Sequence, residues 1–138
     1  MGVHGALICF LKNPGMFKSV SAFAPIANVS LSPWGKKAFT AYLGPDTNTW
    51  KEYDATELVR RQKGKTAEVP EILIDQGTED EWYKGDTKYL MPANFVQAAE
   101  ESGVPVKLRL QEGYGHNYFF VITFIKDNFE YHAKILAK

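Results

Sequence analysis

The chain has 138 residues, the length of one modest domain, and with 45% hydrophobic and 14% aromatic residues it has the material for a real core. Sixteen acidic residues balance sixteen basic ones, so no electrostatic footprint points to nucleic acid or to an anionic membrane. The longest apolar run, Tyr118 to Ile125, is far too short to span a bilayer, and the opening Met1-Gly2-Val3-His4-Gly5 lacks the pattern of a secretory signal. Cys9 has no partner for a disulfide and sits in the apolar run Ala6-Leu7-Ile8-Cys9-Phe10. That placement predicts a buried thiol in a reducing, cytoplasmic setting. His4, His116 and His132 show no ligand spacing, so neither a metal nor another cofactor is expected.

Taken in chain order, Gly2 to Leu11 has helical apolar spacing and is stopped by Asn13-Pro14-Gly15. Ser19 to Pro25 reads as a short buried strand. The next stretch predicts helices near Trp34 to Leu43 and Thr49 to Arg61, then a solvated basic loop from Arg60 to Lys65. Glu71 to Gly77 has the continuous apolar centre of a strand covered on both faces. Pro92 to Ser102 is an amphipathic helix closed by Gly103. Val106 to Gly113 alternates apolar and polar residues, as a strand near a sheet edge does, and Tyr118 to Leu136 is a long closing helix. Strands and helices alternating in this way predict an α/β fold of three parallel strands, adjacent in sequence order and joined by crossover helices.

In such sheets the functional residues gather beyond the carboxyl ends of the strands. Two loops there are chemically loaded. His116 follows the third strand within Gly113-Tyr114-Gly115-His116-Asn117, where a flexible approach could present an imidazole as general base. The plainer reading is a helix-start histidine. Asp80 follows the second strand and could orient that imidazole, although Asp75, Glu79 and Glu81 compete on position alone and a solvated acidic turn is the bland alternative. An acid after one strand and a histidine after a later one is the chain order of α/β-hydrolases. There the serine comes first, on a G-x-S-x-G elbow, and Met1-Gly2 followed by a helix resembles what comes just after such a serine. Ser19, Ser21, Ser30, Ser32 and Ser102 do not lie on an elbow.

The blocks Gly2-Val3-His4-Gly5-Ala6-Leu7-Ile8, Lys18-Ser19-Val20-Ser21-Ala22-Phe23-Ala24-Pro25-Ile26, Pro33-Trp34-Gly35-Lys36-Lys37-Ala38-Phe39, Ile72-Leu73-Ile74-Asp75-Gln76-Gly77 and Arg109-Leu110-Gln111-Glu112-Gly113-Tyr114 resemble the S-formylglutathione hydrolase (esterase D) family from end to end. The resemblance implies that residues 1–138 are the C-terminal half of an α/β-hydrolase domain, with the N-terminal half and its nucleophilic serine absent. It makes Asp80 the triad acid, His116 the triad base and the backbone N–H of Met1 an oxyanion-hole donor. The implied reaction is hydrolysis of S-formylglutathione to glutathione and formate in formaldehyde detoxification, without a cofactor, and it leaves room for a homodimer of the full-length enzyme. Trp34 would wall the substrate pocket. Lys37, with Lys36, could pair with a glutathione carboxylate, against the plainer reading of surface lysines.

Two departures stand out: Val3 occupies the position of a second family glycine, and the segment from Arg61 to Pro70 is slightly long. Without the serine, the chain alone is expected to be inactive. The alternative is a truncated non-catalytic fragment or a pseudoenzyme serving as a binding module. The strand at Ser19–Pro25 should then have an unpaired edge, with Leu7, Phe10, Val20 and Phe23 uncovered beside it.

Overall fold

A computed structural model describes residues 2–65, 69–86 and 89–137. The elements are α1 (Gly2–Lys12), β1 (Val20–Phe23), α2 (Pro33–Leu43), α3 (Thr47–Trp50), α4 (Ala55–Arg60), β2 (Ile72–Gly77), α5 (Glu81–Lys84), α6 (Pro92–Ser102), β3 (Val106–Gln111) and α7 (Tyr118–Leu136). The three strands form one parallel sheet in the order β1-β2-β3, with Val20 beside Ile72 and Ile72 beside Val106. Every residue of β2 is buried, whereas β3 mixes half-buried and exposed positions, with Lys107 and Leu110 exposed and Arg109 half-buried against Asp75. The middle strand is thus the one covered on both faces and the outer strand the wetter one, as expected, although the burial of β3 does not follow its apolar–polar alternation at Arg109 and Leu110.

The sheet is covered on both faces. Along β2, Ile72 and Ile74 join Leu7, Phe10, Leu58 and Phe95 in one core, beneath α1, α4 and α6. Residues of the other parity face α7. Asp75 there accepts a 3.0 Å hydrogen bond from Asn128 Nδ2 of that helix, and Phe23 meets Phe120 edge-on at 5.5 Å. Asp75 is completely buried and also receives Arg109 Nε and Nη2 at 2.7 and 2.8 Å and Gln111 Nε2 at 2.8 Å. A carboxylate so fully hydrogen-bonded can be kept in the interior, and through Asn128 it anchors the middle of α7 to the sheet.

Three expectations need correction. Cys9 is exposed, not buried: on a helix, an apolar run covers every face, and the core-facing positions of α1 are His4, Leu7, Phe10 and Leu11. The expected helix from Thr49 to Arg61 is broken. Asp54 adopts extended backbone and caps α4 by accepting from Thr56 N and Glu57 N, so α3 and a single 3-10 turn precede it as separate pieces. Leu7, Phe10 and Val20 are buried and Phe23 is half-buried, because α1 and α7 lie directly over β1 and cover its side chains. The large exposed apolar residues instead include Tyr118, Phe119, Ile122, Phe129 and Leu136 of α7.

Candidate active site

The carboxyl ends of β2 and β3 lie side by side, with Gly77 in register with Gln111, and the loops that leave them are stitched together. Thr78 N donates to Gln111 O at 3.0 Å, Glu79 N donates to Tyr114 O at 3.0 Å, and Gly113 N donates to Thr78 Oγ1 at 3.0 Å. This approach needs Gly77, since a Cβ there would stand 2.2 Å from the Tyr114 carbonyl oxygen. Gly113 turns the second loop with φ of +79°. Past that turn, Asn117 caps α7 by accepting from Phe120 N at 3.0 Å. His116 is therefore held between a stitched turn and a capped helix start, not on a free tip.

The two loops bring Asp80 and His116 together, with Asp80 Oδ2 2.7 Å from His116 Nδ1. Asp80 is fully buried and the His116 side chain is 42% exposed, so the carboxylate lies inside and the imidazole faces solvent. Asp80 also caps the short α5, its Oδ1 accepting from Trp82 N at 2.9 Å, while Oδ2 accepts from Gln76 Nε2 at 3.1 Å. Burial pushes the Asp80 carboxyl up, but the hydrogen bonds from His116, Trp82 N and Gln76 outweigh it and hold its pKa below the usual value. The hydrogen bond to Asp80 raises the His116 pKa above 6.5 against the opposing effect of burial. Of the competing acids, Asp75 is engaged by Arg109 and Glu79 by Lys84, while Glu81 is exposed in the first turn of α5 and makes no hydrogen bond to His116.

Two open hollows of about 410 and 420 Å³ flank His116, sharing Val3, Phe23 and Ala24 as a wall. Ala24, the residue after β1, sits in the left-handed region, φ 45°, which turns the chain sharply at the mouth of both. One hollow continues along Asn117, Tyr118 and Val121. The other runs along Ile26, Trp34, Tyr42 and Leu90. Trp34 packs on Trp82 at 4.5 Å and on Tyr89 at 4.2 Å between ring centroids. It is thereby tied to the helix that Asp80 caps. Lys36 and Lys37 are exposed on α2, outside the walls of either hollow. Met1 lies outside the described residues.

Among the described residues, no serine hydroxyl is hydrogen-bonded to His116 and none lines either hollow. Nor does any cluster of three or more His, Cys, Asp or Glu there have the arrangement to hold a metal ion. No helix among them is long and apolar enough to cross a membrane. Three parts of the site were missed in the sequence: Gln76, the Trp82 amide and the close approach of Gly77 to Tyr114. Only Gln76 left a signal, an amide beside Asp75 at the end of a strand whose first three residues are apolar.

Residues 1–131 match the esterase family described as "Putative esterase". The chain is 57% identical over 136 residues to S-formylglutathione hydrolase of Rattus norvegicus and 56% identical to that of Mus musculus. Each alignment covers 99% of this chain and 46% of the relative, so the chain spans about half the length of the curated relatives it matches. Among solved structures, an S-formylglutathione hydrolase from Agrobacterium tumefaciens is 41% identical with a TM-score of 0.86, covering 96% of this chain and 46% of that one. Dipeptidyl peptidase 4 of Porphyromonas gingivalis, 16% identical with a TM-score of 0.60 over 88% of this chain and 17% of its own, shares the fold alone. On the family match across nearly its whole length, and with the α/β-hydrolase architecture of its structural neighbours, the chain belongs to the esterase family, in the company of the S-formylglutathione hydrolases it resembles.

Proposed function

We propose that this chain supplies the acid and the base of a serine esterase that hydrolyses S-formylglutathione, and that the serine comes from outside the described residues. The observation that carries the reading is the 2.7 Å contact between Asp80 Oδ2 and His116 Nδ1 at the ends of adjacent parallel strands. With Nδ1 occupied in this way, His116 is left with Nε2 as its free basic nitrogen.

In the proposed reaction, Nε2 takes the serine proton as Oγ attacks the formyl carbon, and Asp80 steadies the imidazolium that forms. The tetrahedral intermediate collapses with loss of the glutathione sulfur, a good leaving group that takes the proton from the imidazolium as it departs and leaves His116 neutral. His116 then deprotonates a water that attacks the formyl-serine, and the imidazolium returns that proton to the serine Oγ as formate is released. The backbone N–H of Met1 is assigned as one oxyanion donor, with a second from an upstream loop. Trp34 walls the hollow beside His116 and is assigned to the substrate, and Lys37 to a glutathione carboxylate arriving from solvent. The reaction would serve formaldehyde detoxification in the cytosol.

The purified chain alone should not turn over S-formylglutathione or an activated ester, since loss of a nucleophile costs on the order of a millionfold. The same chain extended upstream through the serine, or co-expressed with a segment bearing it, should hydrolyse both. Hydrolysis by the chain alone that survives His116→Ala would refute the reading. So would an extended chain whose rate is indifferent to His116.

A further inference from the structure

We propose that Gln76 is a positioning residue, holding the Asp80 carboxylate against His116. The proposal rests on the reading of Asp80 and His116 as an acid–base pair. Gln76 is completely buried near the end of β2. Its Nε2 donates to the Gly77 carbonyl at 3.1 Å and to Asp80 Oδ2 at 3.1 Å. Oδ2 is the same oxygen that meets His116 Nδ1. The other oxygen, Oδ1, is already held by the Trp82 amide. Three donors therefore fix the carboxylate, and Gln76 is the one that restrains the working oxygen from the interior side.

The orientation of the amide follows from its neighbours. Turning it over would aim a carbonyl oxygen at both the Gly77 carbonyl and the Asp80 carboxylate, which have only lone pairs to offer. In the observed orientation Gln76 Oε1 is buried without a hydrogen-bond partner. An unsatisfied buried carbonyl destabilises a fold, and an apolar side chain of similar length would remove that penalty. In this fully buried strand the Asp75 carboxylate is fully hydrogen-bonded, whereas the Gln76 amide leaves an oxygen unpaired, so it costs stability and returns a fixed acid. A residue kept only for packing has no such signature.

The distinction can be measured on the full chain, without turnover, by following the His116 ring resonances against pH together with thermal melting. In Gln76→Met and Gln76→Leu, the His116 midpoint should fall toward 6.5, because Asp80 is then free to leave Nδ1. The Nδ1 proton should exchange faster with water, and both variants should melt at or above the temperature of the unsubstituted chain. An unchanged midpoint and unchanged exchange in both variants would overturn the proposal. Loss of cooperative melting in both would do so too, since Gln76 would then be structural. Asp80→Asn, which can still cap α5, separates the two readings. If it leaves the His116 midpoint alone, the acid–base pair itself falls. If it lowers the midpoint while the Gln76 variants do not, only the brace falls.

Discussion

Three histidines in this chain sit in three environments, and their chemistry follows from what each one touches. His116 is part exposed beside a carboxylate, which raises its pKa. His132 receives or donates hydrogen bonds at Ser19 Oγ and Ser21 Oγ, 2.8 and 2.9 Å away, and burial lowers its pKa. His4 lies inside the first turns of α1 with its Nε2 unpartnered, and burial pushes it down to about 4 against the pull of Asp54. The signs have opposite consequences for stability. The raised His116 stabilises the fold below pH 6.5, and that contribution is lost as pH rises through its folded pKa. The depressed His4 does the reverse: unfolding lets it take up a proton, so stability drains away as pH falls from 6.5 to about 4. That window corresponds to about 3 kcal/mol. Denaturant melts between pH 7 and 4 should show this loss in the unsubstituted chain, and His4→Leu should flatten most of it. A His4→Leu chain as acid-labile as its parent would place the titration elsewhere.

Among the elements, the segment between β1 and β2 shows what a sequence gives up readily and what it hides. The strands, α6 and α7 were legible to within a residue or two, because period and length agreed and Gly or Pro marked their ends. The break at Asp54 was not, because an aspartate inside an amphipathic stretch is as compatible with a helix surface as with a cap. Only the fold shows Asp54 fully buried, accepting from Asn28 Nδ2, Ser30 N, Ser30 Oγ, Thr56 N and Glu57 N. The four residues of α5 are too short to carry a period at all. The candidate site divides in the same way. Strand order singled out the two loops, but Asp75, Glu79, Glu81 and Asp80 cannot be ranked until Arg109 is seen on Asp75, Lys84 on Glu79 and Asp80 on His116. Gln76 and the Gly77–Tyr114 approach are tertiary contacts with no local pattern. Asp54→Ala tests how far the hidden cap matters. It would strand several buried donors at once, and the loss should be on the order of 3–5 kcal/mol, read as a lower denaturation midpoint. A change below about 1 kcal/mol would mean that the five contacts are individually dispensable.

At the scale of the whole molecule, the sheet is covered above and below, and what remains open is lateral. β2 has a strand on each side, whereas β1 has only β2 among the described residues. Beside that edge runs α7, whose inner face meets the sheet through Phe120, Phe124 and Asn128. Its outer face is apolar as well. Tyr118, Ile122, Phe129 and Leu136 fall on one stripe of the helix, and all four are exposed, Ile122 at 69% and Phe129 at 68%. An apolar stripe next to an open strand edge is an association surface, and a net charge of zero does nothing to oppose it. The chain should therefore self-associate as its concentration rises, through α7 and not through the covered side chains of α1. Each of these side chains is worth about 1.5–3 kcal/mol when buried, so Ile122→Lys with Phe129→Glu should weaken association by at least about tenfold. Sedimentation velocity across a concentration series reads this directly, and the His116 titration serves as a control that the fold is intact. If the doubly substituted chain associates as strongly as its parent while that titration is unchanged, the contact lies elsewhere. The free edge of β1, near Ser19 and Ser21, would then be the surface to substitute next.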